Sequence, residues 1–321
     1  MHFYRTKDHL MTETAPTTTG SWVEEANAVA QQIRARVLEL TILKNGCYLS
    51  QALSSADLLA TLYTHVLSLE SLPQPLASPP FTGVPGAPDA SPSGGRFHGE
   101  PRADGDRFLI SPAHYAVAIY AALEAVGRLE PGALESFNTD GSTLEMIGAE
   151  HSPGFELTTG SFGQALSQAA GIAFARRLRG ETGRTAVFVS DGELEEGQTW
   201  EGVQAAAFYQ LDQLMLFVDV NGQQVDGNTA DIMNVEPINS RFEAFGWDVH
   251  VVDGHDVSAI AAAVEAKQKD GRPLVVLAYT DSARGIPYLN DRKPHLHYVR
   301  AKTDADRKAF EEALADLKGQ S

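Results

Sequence analysis

The sequence predicts an α/β fold: a mostly parallel sheet with helices on both faces. Three observations carry that expectation. From Gly160 onward, short apolar runs alternate with longer segments of helical periodicity, the pattern of strand–helix–strand units. Ala186-Val187-Phe188-Val189 and Leu214-Met215-Leu216-Phe217-Val218 are apolar without alternation, which suits strands covered on both faces. Asp191-Gly192 and Asn221-Gly222 then close these runs, as turn residues do where a strand gives way to a loop.

Residues 1–21 are polar and Thr-rich and read as a flexible tail. Trp22 to Lys44 repeats apolar residues at helical spacing (Ala26, Val29, Ala30, Ile33, Val37, Leu40). Ser54-Ser55-Ala56-Asp57 before Leu58-Leu59-Ala60 looks like a capping box that opens a second helix. Residues 71–105, rich in Pro, Gly, Ser and Ala, form a connector long enough to be functional or disordered. A strand is expected over 107–110 and a helix over 112–126. A helix of small residues follows over 161–178. The regular part continues as strand 185–190, helix 197–209, strand 213–219, helix 238–245, strand 248–252, helix 256–269, strand 273–279 and helix 304–318. With no internal repeat and no second boundary, residues 22–321 are expected to form one domain with an insertion near 71–105.

Composition narrows the function. With 43% hydrophobic and 21% charged residues, the 321-residue chain has the make-up of an ordinary globular protein. A formal charge of −17 argues against nucleic acid and against an anionic membrane surface as partners. Cys47 is the single cysteine, so internal disulfides are excluded and a reducing compartment is expected. No apolar stretch approaches a membrane span, and the first twenty residues have no apolar leader core. The expected location is the cytoplasm.

Asp191 and, thirty positions on, Asn221 place two hard oxygen donors at the ends of two strands. Such donors suit Mg²⁺, which takes oxygen ligands and completes its shell with phosphate oxygens. The main-chain carbonyl of Gln223 is the expected third donor, and Gly192 lets backbone approach a phosphate closely. Taken singly, both dipeptides are ordinary turns; their joint strand context favours the ligand reading. A dinucleotide fingerprint follows neither strand, and no phosphate-binding G-x-x-x-x-G-K-[ST] loop is present.

The run Ser190 to Gln198 with Val220 to Gly227 resembles the thiamine-diphosphate motif of the transketolase family, G-D-G followed about thirty residues later by N. Asp106-Arg107-Phe108-Leu109-Ile110-Ser111-Pro112-Ala113-His114 is similar to that family's D-R-F-x-L-S-x-G-H. Pro153 to Gln164 is similar to its P-G-x-E-x-x-T-G-S-L-G-Q, and Phe245-Gly246-Trp247 and Val252 to Asp256 also fit. The resemblance implies the thiamine-diphosphate-binding fold, with Mg²⁺ on Asp191, Asn221 and the Gln223 carbonyl. Gly160, Phe162, Gly192, Glu193, Asn221 and His297 would contact the cofactor. His114 and His297 would be the catalytic imidazoles, which polarise substrate oxygens and move protons. The match is to the N-terminal, diphosphate-binding half. It implies one component of a split transketolase, completed by a separate C-terminal pyrimidine-binding subunit in an α2β2 assembly. Its reaction would move a two-carbon ketol unit from a ketose donor, sugar or sugar phosphate, to an aldehyde acceptor.

The substrate side departs from the family. Its G-H-x-G-G-S-L-S reads Cys47-Tyr48-Leu49-Ser50-Gln51-Ala52-Leu53-Ser54, so a histidine becomes Tyr48 and a glycine pair becomes Ser50-Gln51. A phenol that titrates near 10 donates a hydrogen bond but does not shuttle protons at neutral pH. Side chains in place of glycines narrow the entrance, and Tyr48, Ser50 and Gln51 are the expected substrate-facing residues. Tyr279 to Gly285 lacks one lysine of the family's H-T-x-K-G-K-G. Two other reactions remain open at this point, acyloin formation and decarboxylation, as does a silent subunit that binds cofactor without turnover. Cys47 reads as packing.

Overall fold

The computed structural model describes residues 21–84, 87–268 and 270–319. The expected tail therefore lies outside the described residues, except for Ser21, where the first helix begins. Helix α1 (Ser21–Leu43) leads to α2 (Leu49–Thr61), which widens into a π turn over Leu62–Val66. Strand β1 (Arg107–Ile110), helix α3 (Ala116–Ala125) and helix α4 (Ala165–Leu178) follow. Then come β2 (Thr185–Ser190), α5 (Gly197–Phe208) and β3 (Leu214–Val220). A small hairpin, β4 (Gln223–Gln224) and β5 (Gly227–Asn228), runs into the short α6 (Thr229–Ile232) and then α7 (Ile238–Ala244). The chain closes with β6 (Asp248–Asp253), α8 (Val257–Glu265), β7 (Leu274–Tyr279) and α9 (Asp304–Gly319).

Five strands form one parallel sheet in the order β1-β2-β3-β7-β6. Successive strand residues face opposite layers. Phe108, Phe188, Phe217 and Val276 pack with α1, α2, α3, α8 and α9, while Val187, Leu216, Val218 and Leu277 pack with α4, α5 and α7. The absence of polar alternation in β2 and β3 has its cause here, since every residue of both strands is buried. In register, Ser190 lies beside Asp219 and Asp219 beside Ala278. The loops that leave β2, β3 and β7 thus meet at one rim, the edge where open parallel sheets bind ligands. Among the described residues, no helix is long and apolar enough to cross a membrane.

The expected elements from β1 onward are present, with ends shifted by a few residues. Two expectations fail. Ser54 and Ser55 do not cap a helix: α2 begins at Leu49, and both serines lie inside it, fully buried. Ser55 Oγ donates to the Gln51 carbonyl at 2.6 Å, the back-bond of a mid-helix serine, while Ser54 Oγ reaches Asp219. The helix over 161–178 begins only at Ala165, because residues 161–164 form a turn. The described part of the 71–105 connector is ordered. Leu76 and Pro80 bridge to Leu129 and Ser142, and Gly94–His98 forms a 3₁₀ turn.

Asp57, expected in a cap, joins three elements. Its carboxylate takes hydrogen bonds from Arg34 of α1 and, at 2.7 Å, from His255 Nδ1. The other His255 nitrogen accepts from the Asp281 amide at 2.8 Å, so the proton sits on Nδ1. Burial works to raise the Asp57 pKa, but His255 and Arg34 outweigh it and hold the carboxyl below its usual range. Removal of Asp57 leaves a buried guanidinium without its counter-charge. Asp57→Ala is expected to lower the unfolding free energy by about 3–5 kcal/mol, read from urea denaturation; a change within the scatter of surface substitutions contradicts this role.

Candidate active site

Asp219 organises the rim. It is fully buried at the end of β3. Its Oδ2 accepts from Ser54 Oγ of α2 at 2.6 Å, Tyr115 OH at 2.9 Å and Asn221 Nδ2 at 3.2 Å, and Thr280 Oγ1 bonds Oδ1. Burial raises its pKa, against these donors. Asn221 Nδ2 also donates to Tyr115 OH at 3.0 Å.

Asp191 opens the turn after β2 and is 1% exposed. Its Oδ1 accepts from Gly192 N at 3.0 Å, and its Oδ2 from Gly222 N at 2.9 Å and Thr229 Oγ1 at 3.2 Å. The Gly222 amide therefore ties the Asp191 and Asn221 loops together. Asn221 Oδ1 accepts from Gln223 N at 3.0 Å, and the Gln223 side chain donates to Pro294 O. Burial, then repulsion from Asp219, pushes Asp191 up to about 7. Among the described residues, neither Asp191 nor Asp219 has a cationic side-chain partner. Glu193 is fully buried, accepts from Ser111 Oγ and Gly163 N, and leaves Oε2 without a partner. Burial pushes it up to about 7 as well. The Glu193 carboxylate thus fastens the turn that carries Gly160, Phe162 and Gly163 to the end of β1.

A cavity of about 80 Å³ lies between these loops, lined by Ser50, Gln51, His114, Tyr115, Phe162, Ser190, Asn221, Gln223, Gln224, Val225 and His297. It brings together residues separated in sequence by more than two hundred positions. Gly160 sits beside it with φ of +97°, and a Cβ there would lie 2.8 Å from the Ala113 Cβ. The approach to Gly192 is taken up by the Gln224 amide, whose Oε1 lies 2.3 Å from where a Cβ would be. Val225 occupies the first loop position of the β4–β5 hairpin with φ of +52°. That region strongly disfavours a β-branched residue.

The imidazoles form the opposite wall. Ring centres lie 5.2 Å apart for Tyr48–His114, 5.3 Å for Tyr48–His297 and 5.4 Å for His114–His297. Phe162 stands 6.0 Å from His114. Burial, with a smaller push from His297, lowers His114 to about 3, and burial also lowers His297. Burial thus favours the neutral form of both rings. Burial raises the Tyr48 phenol. Gly192 and Glu193 lie outside the cavity lining, beneath the adjoining turn. Cys47 is buried against Thr41 with its thiol pushed up to about 12, as packing requires.

Among the described residues, no cluster of three His, Cys, Asp or Glu side chains is arranged to hold a metal. The expected ligand set has one carboxylate and two amide-type oxygens. Two buried carboxylates without a counter-charge fit a divalent cation, which would return Asp191 to its ionised form. Asp219, Ser54, Tyr115, Thr280 and Ser111 escaped the sequence reading. Asp219 alone left a signal: it closes the apolar run two positions before Asn221.

The raised Asp191 and Glu193 carboxyls bind protons in the fold that unfolded carboxyls near 4 release. Their share of stability is complete below about pH 4 and is lost as pH rises through about 7. His114 acts in the opposite sense, but equally in parent and variant. Without divalent cations, Asp191→Asn is therefore expected to raise the melting temperature over the parent more at about pH 8 than at about pH 5. Equal differences at the two pH values, read by calorimetry, contradict the assignment.

Comparison with known proteins agrees with this geometry. The family described as "Transketolase, thiamine diphosphate binding domain" matches residues 98–299. A transketolase family protein of Sinorhizobium fredii, y4mO, is 36% identical over 276 residues, 85% of this chain and 89% of that protein. An apulose-4-phosphate transketolase subunit of Actinobacillus succinogenes is 31% identical over 291 residues, 90% of this chain and 96% of that one. The crystal structure of Campylobacter jejuni transketolase superposes with a TM-score of 0.67 at 23% identity, covering 93% of this chain and 47% of that one. The chain thus spans about half the length of the solved transketolases whose fold it shares. It belongs to the transketolase family, as a transketolase-type component that carries the thiamine-diphosphate-binding domain.

Proposed function

We propose that the chain is the diphosphate-holding subunit of a ketol transferase. The enzyme moves a two-carbon unit from a ketose to an aldehyde, together with a separate C-terminal subunit that supplies the pyrimidine-binding domain. The observation that carries this reading is the joining of Asp191 and Asn221, through the Gly222 amide, at the adjacent ends of β2 and β3. Support for a separate partner comes from relatives named as subunits. The Actinobacillus protein is one; another is the 6-deoxy-6-sulfo-D-fructose transketolase subunit SqwG of a Clostridium strain, 36% identical over 185 residues. An α2β2 assembly, a cytoplasmic location and one structural domain over residues 22–321 complete the proposal.

Asp191, Asn221 and the Gln223 carbonyl would hold Mg²⁺, which neutralises the diphosphate. Thiamine diphosphate supplies the nucleophile and the electron sink for carbon–carbon cleavage. Phe162 and Val225 give the site apolar walls, which strengthen every polar contact inside. His114, neutral and beside the cavity, takes a proton from a substrate hydroxyl or returns one. Among the described residues that line the cavity, none is lysine or arginine. This subunit's contacts therefore favour the hydroxyl and carbonyl groups of a sugar over a terminal phosphate.

Titration calorimetry on the assembled enzyme tests the cation site. Asp191→Ala is expected to abolish Mg²⁺-dependent uptake of thiamine diphosphate, and unchanged affinity refutes the assignment. The chain alone is expected to lack ketol transfer that the reconstituted pair shows. In the pair, His114→Ala should lower kcat by about 10²–10⁴-fold; undiminished turnover removes His114 from the chemistry, and released CO₂ in place of a transferred ketol unit replaces the reaction.

A further inference from the structure

We infer that Gln51 is a positioning residue that fixes the tautomer of His297, so that His297 serves the site as an Nε2–H donor and not as a base. The inference rests on the ketol-transfer reading for its catalytic meaning, but its geometry stands without it. Gln51 lies in the first turn of α2 and is 6% exposed. Its Nε2 lies 3.2 Å from the His297 carbonyl oxygen and 3.3 Å from His297 Nδ1, across 246 positions of sequence.

A carbonyl oxygen only accepts, so the amide nitrogen must face His297, and the amide oxygen must face the other way. There it lies 2.9 Å from Ser50 Oγ, whose one hydrogen is shared between this oxygen and the nearer Leu296 carbonyl. The amide nitrogen thus faces both the carbonyl and the ring of His297. A ring nitrogen that receives an N–H bond offers its lone pair, which leaves the ring proton on Nε2. Protonation of Nδ1 would set two N–H groups against each other, and burial already disfavours the charged ring. The shorter Ser50 Oγ contact, 2.6 Å to the Leu296 carbonyl, lets the same turn of α2 hold the backbone that carries the imidazole.

His114 differs. Its ring touches Tyr48, Tyr115, Phe162 and His297 only through ring contacts, and among the described residues its nitrogens have no hydrogen-bond partner. The two imidazoles of one cavity therefore divide their work. His297 presents a fixed donor, whereas among the described residues no hydrogen bond fixes the tautomer of His114. Ser50 and Gln51 thus do more than narrow an entrance. They supply the amide and hydroxyl that glycines at those positions lack.

Two-bond ¹H–¹⁵N spectra of the full chain, labelled at histidine, read the tautomer directly, without cofactor or partner. His297 is assigned by the signals lost in His297→Gln. The parent is expected to show a lone-pair nitrogen at Nδ1 and a protonated one at Nε2. In Gln51→Glu the new carboxylate accepts where the amide donated, so the proton moves to Nδ1. In Gln51→Gly the two tautomers mix. Unshifted His114 signals in both variants report an intact site. A parent spectrum with the proton on Nδ1, or variants whose His297 pattern does not change, overturns the inference. If the tautomer responds as expected while the reconstituted pair transfers no ketol unit, the hydrogen-bond assignment stands and the proposed reaction falls.

Discussion

One buried carboxylate holds the functional rim together. Asp219 receives hydrogen bonds from Ser54 on α2, Tyr115 before α3, Asn221 beyond β3 and Thr280 after β7. A carboxyl so far from water is tolerated only with donors of this kind. Each donor belongs to a different segment, so satisfying the charge fixes where four segments meet. Asn221 is oriented by the same carboxylate and by Tyr115, which turns its oxygen toward the loop that contains Gln223. The arrangement of the candidate cation site is thus a consequence of one desolvated acid.

The sheet was legible because burial on both faces leaves a plain mark: continuous apolar residues bounded by turn dipeptides. The same logic fails for α2. Ser54-Ser55-Ala56-Asp57 has the composition of a helix start, yet all four residues are buried within the helix. Their polar atoms serve the helix backbone and distant elements: Ser54 serves Asp219, Ser55 the Gln51 carbonyl, and Asp57 the pair Arg34 and His255. Long-range demand overrode a local propensity, and no local pattern can show such demand. Asp191 and Asn221 were legible as neighbours because they stand at the ends of paired strands. Gln51 was legible only as a departure from a glycine, because its function depends on a ring 246 positions away.

The cavity has two chemically distinct walls. One is lined by amides, with Asn221, Gln223 and Gln224 at the joined loops of β2 and β3. The other is aromatic, with His114 and His297 backed edge to face by Tyr48. Neutral rings suit this wall. A charged imidazole there would be desolvated without a carboxylate in contact, and burial shifts both histidines against it.

Val225 illustrates how such a site is kept. Gln224 pairs with Gly227 across the hairpin, which leaves Val225 and Asp226 as its two-residue loop. A left-handed first loop position is glycine's place in such turns, and a β-branched side chain there costs about 1–3 kcal/mol. Its side chain lines the cavity, which is the return on that strain. The hairpin is thus a point where durability and performance pull in opposite directions. Selection for heat tolerance alone would drift toward glycine at this position, and the sturdier lineage that emerged would have surrendered part of the wall that shapes its chemistry.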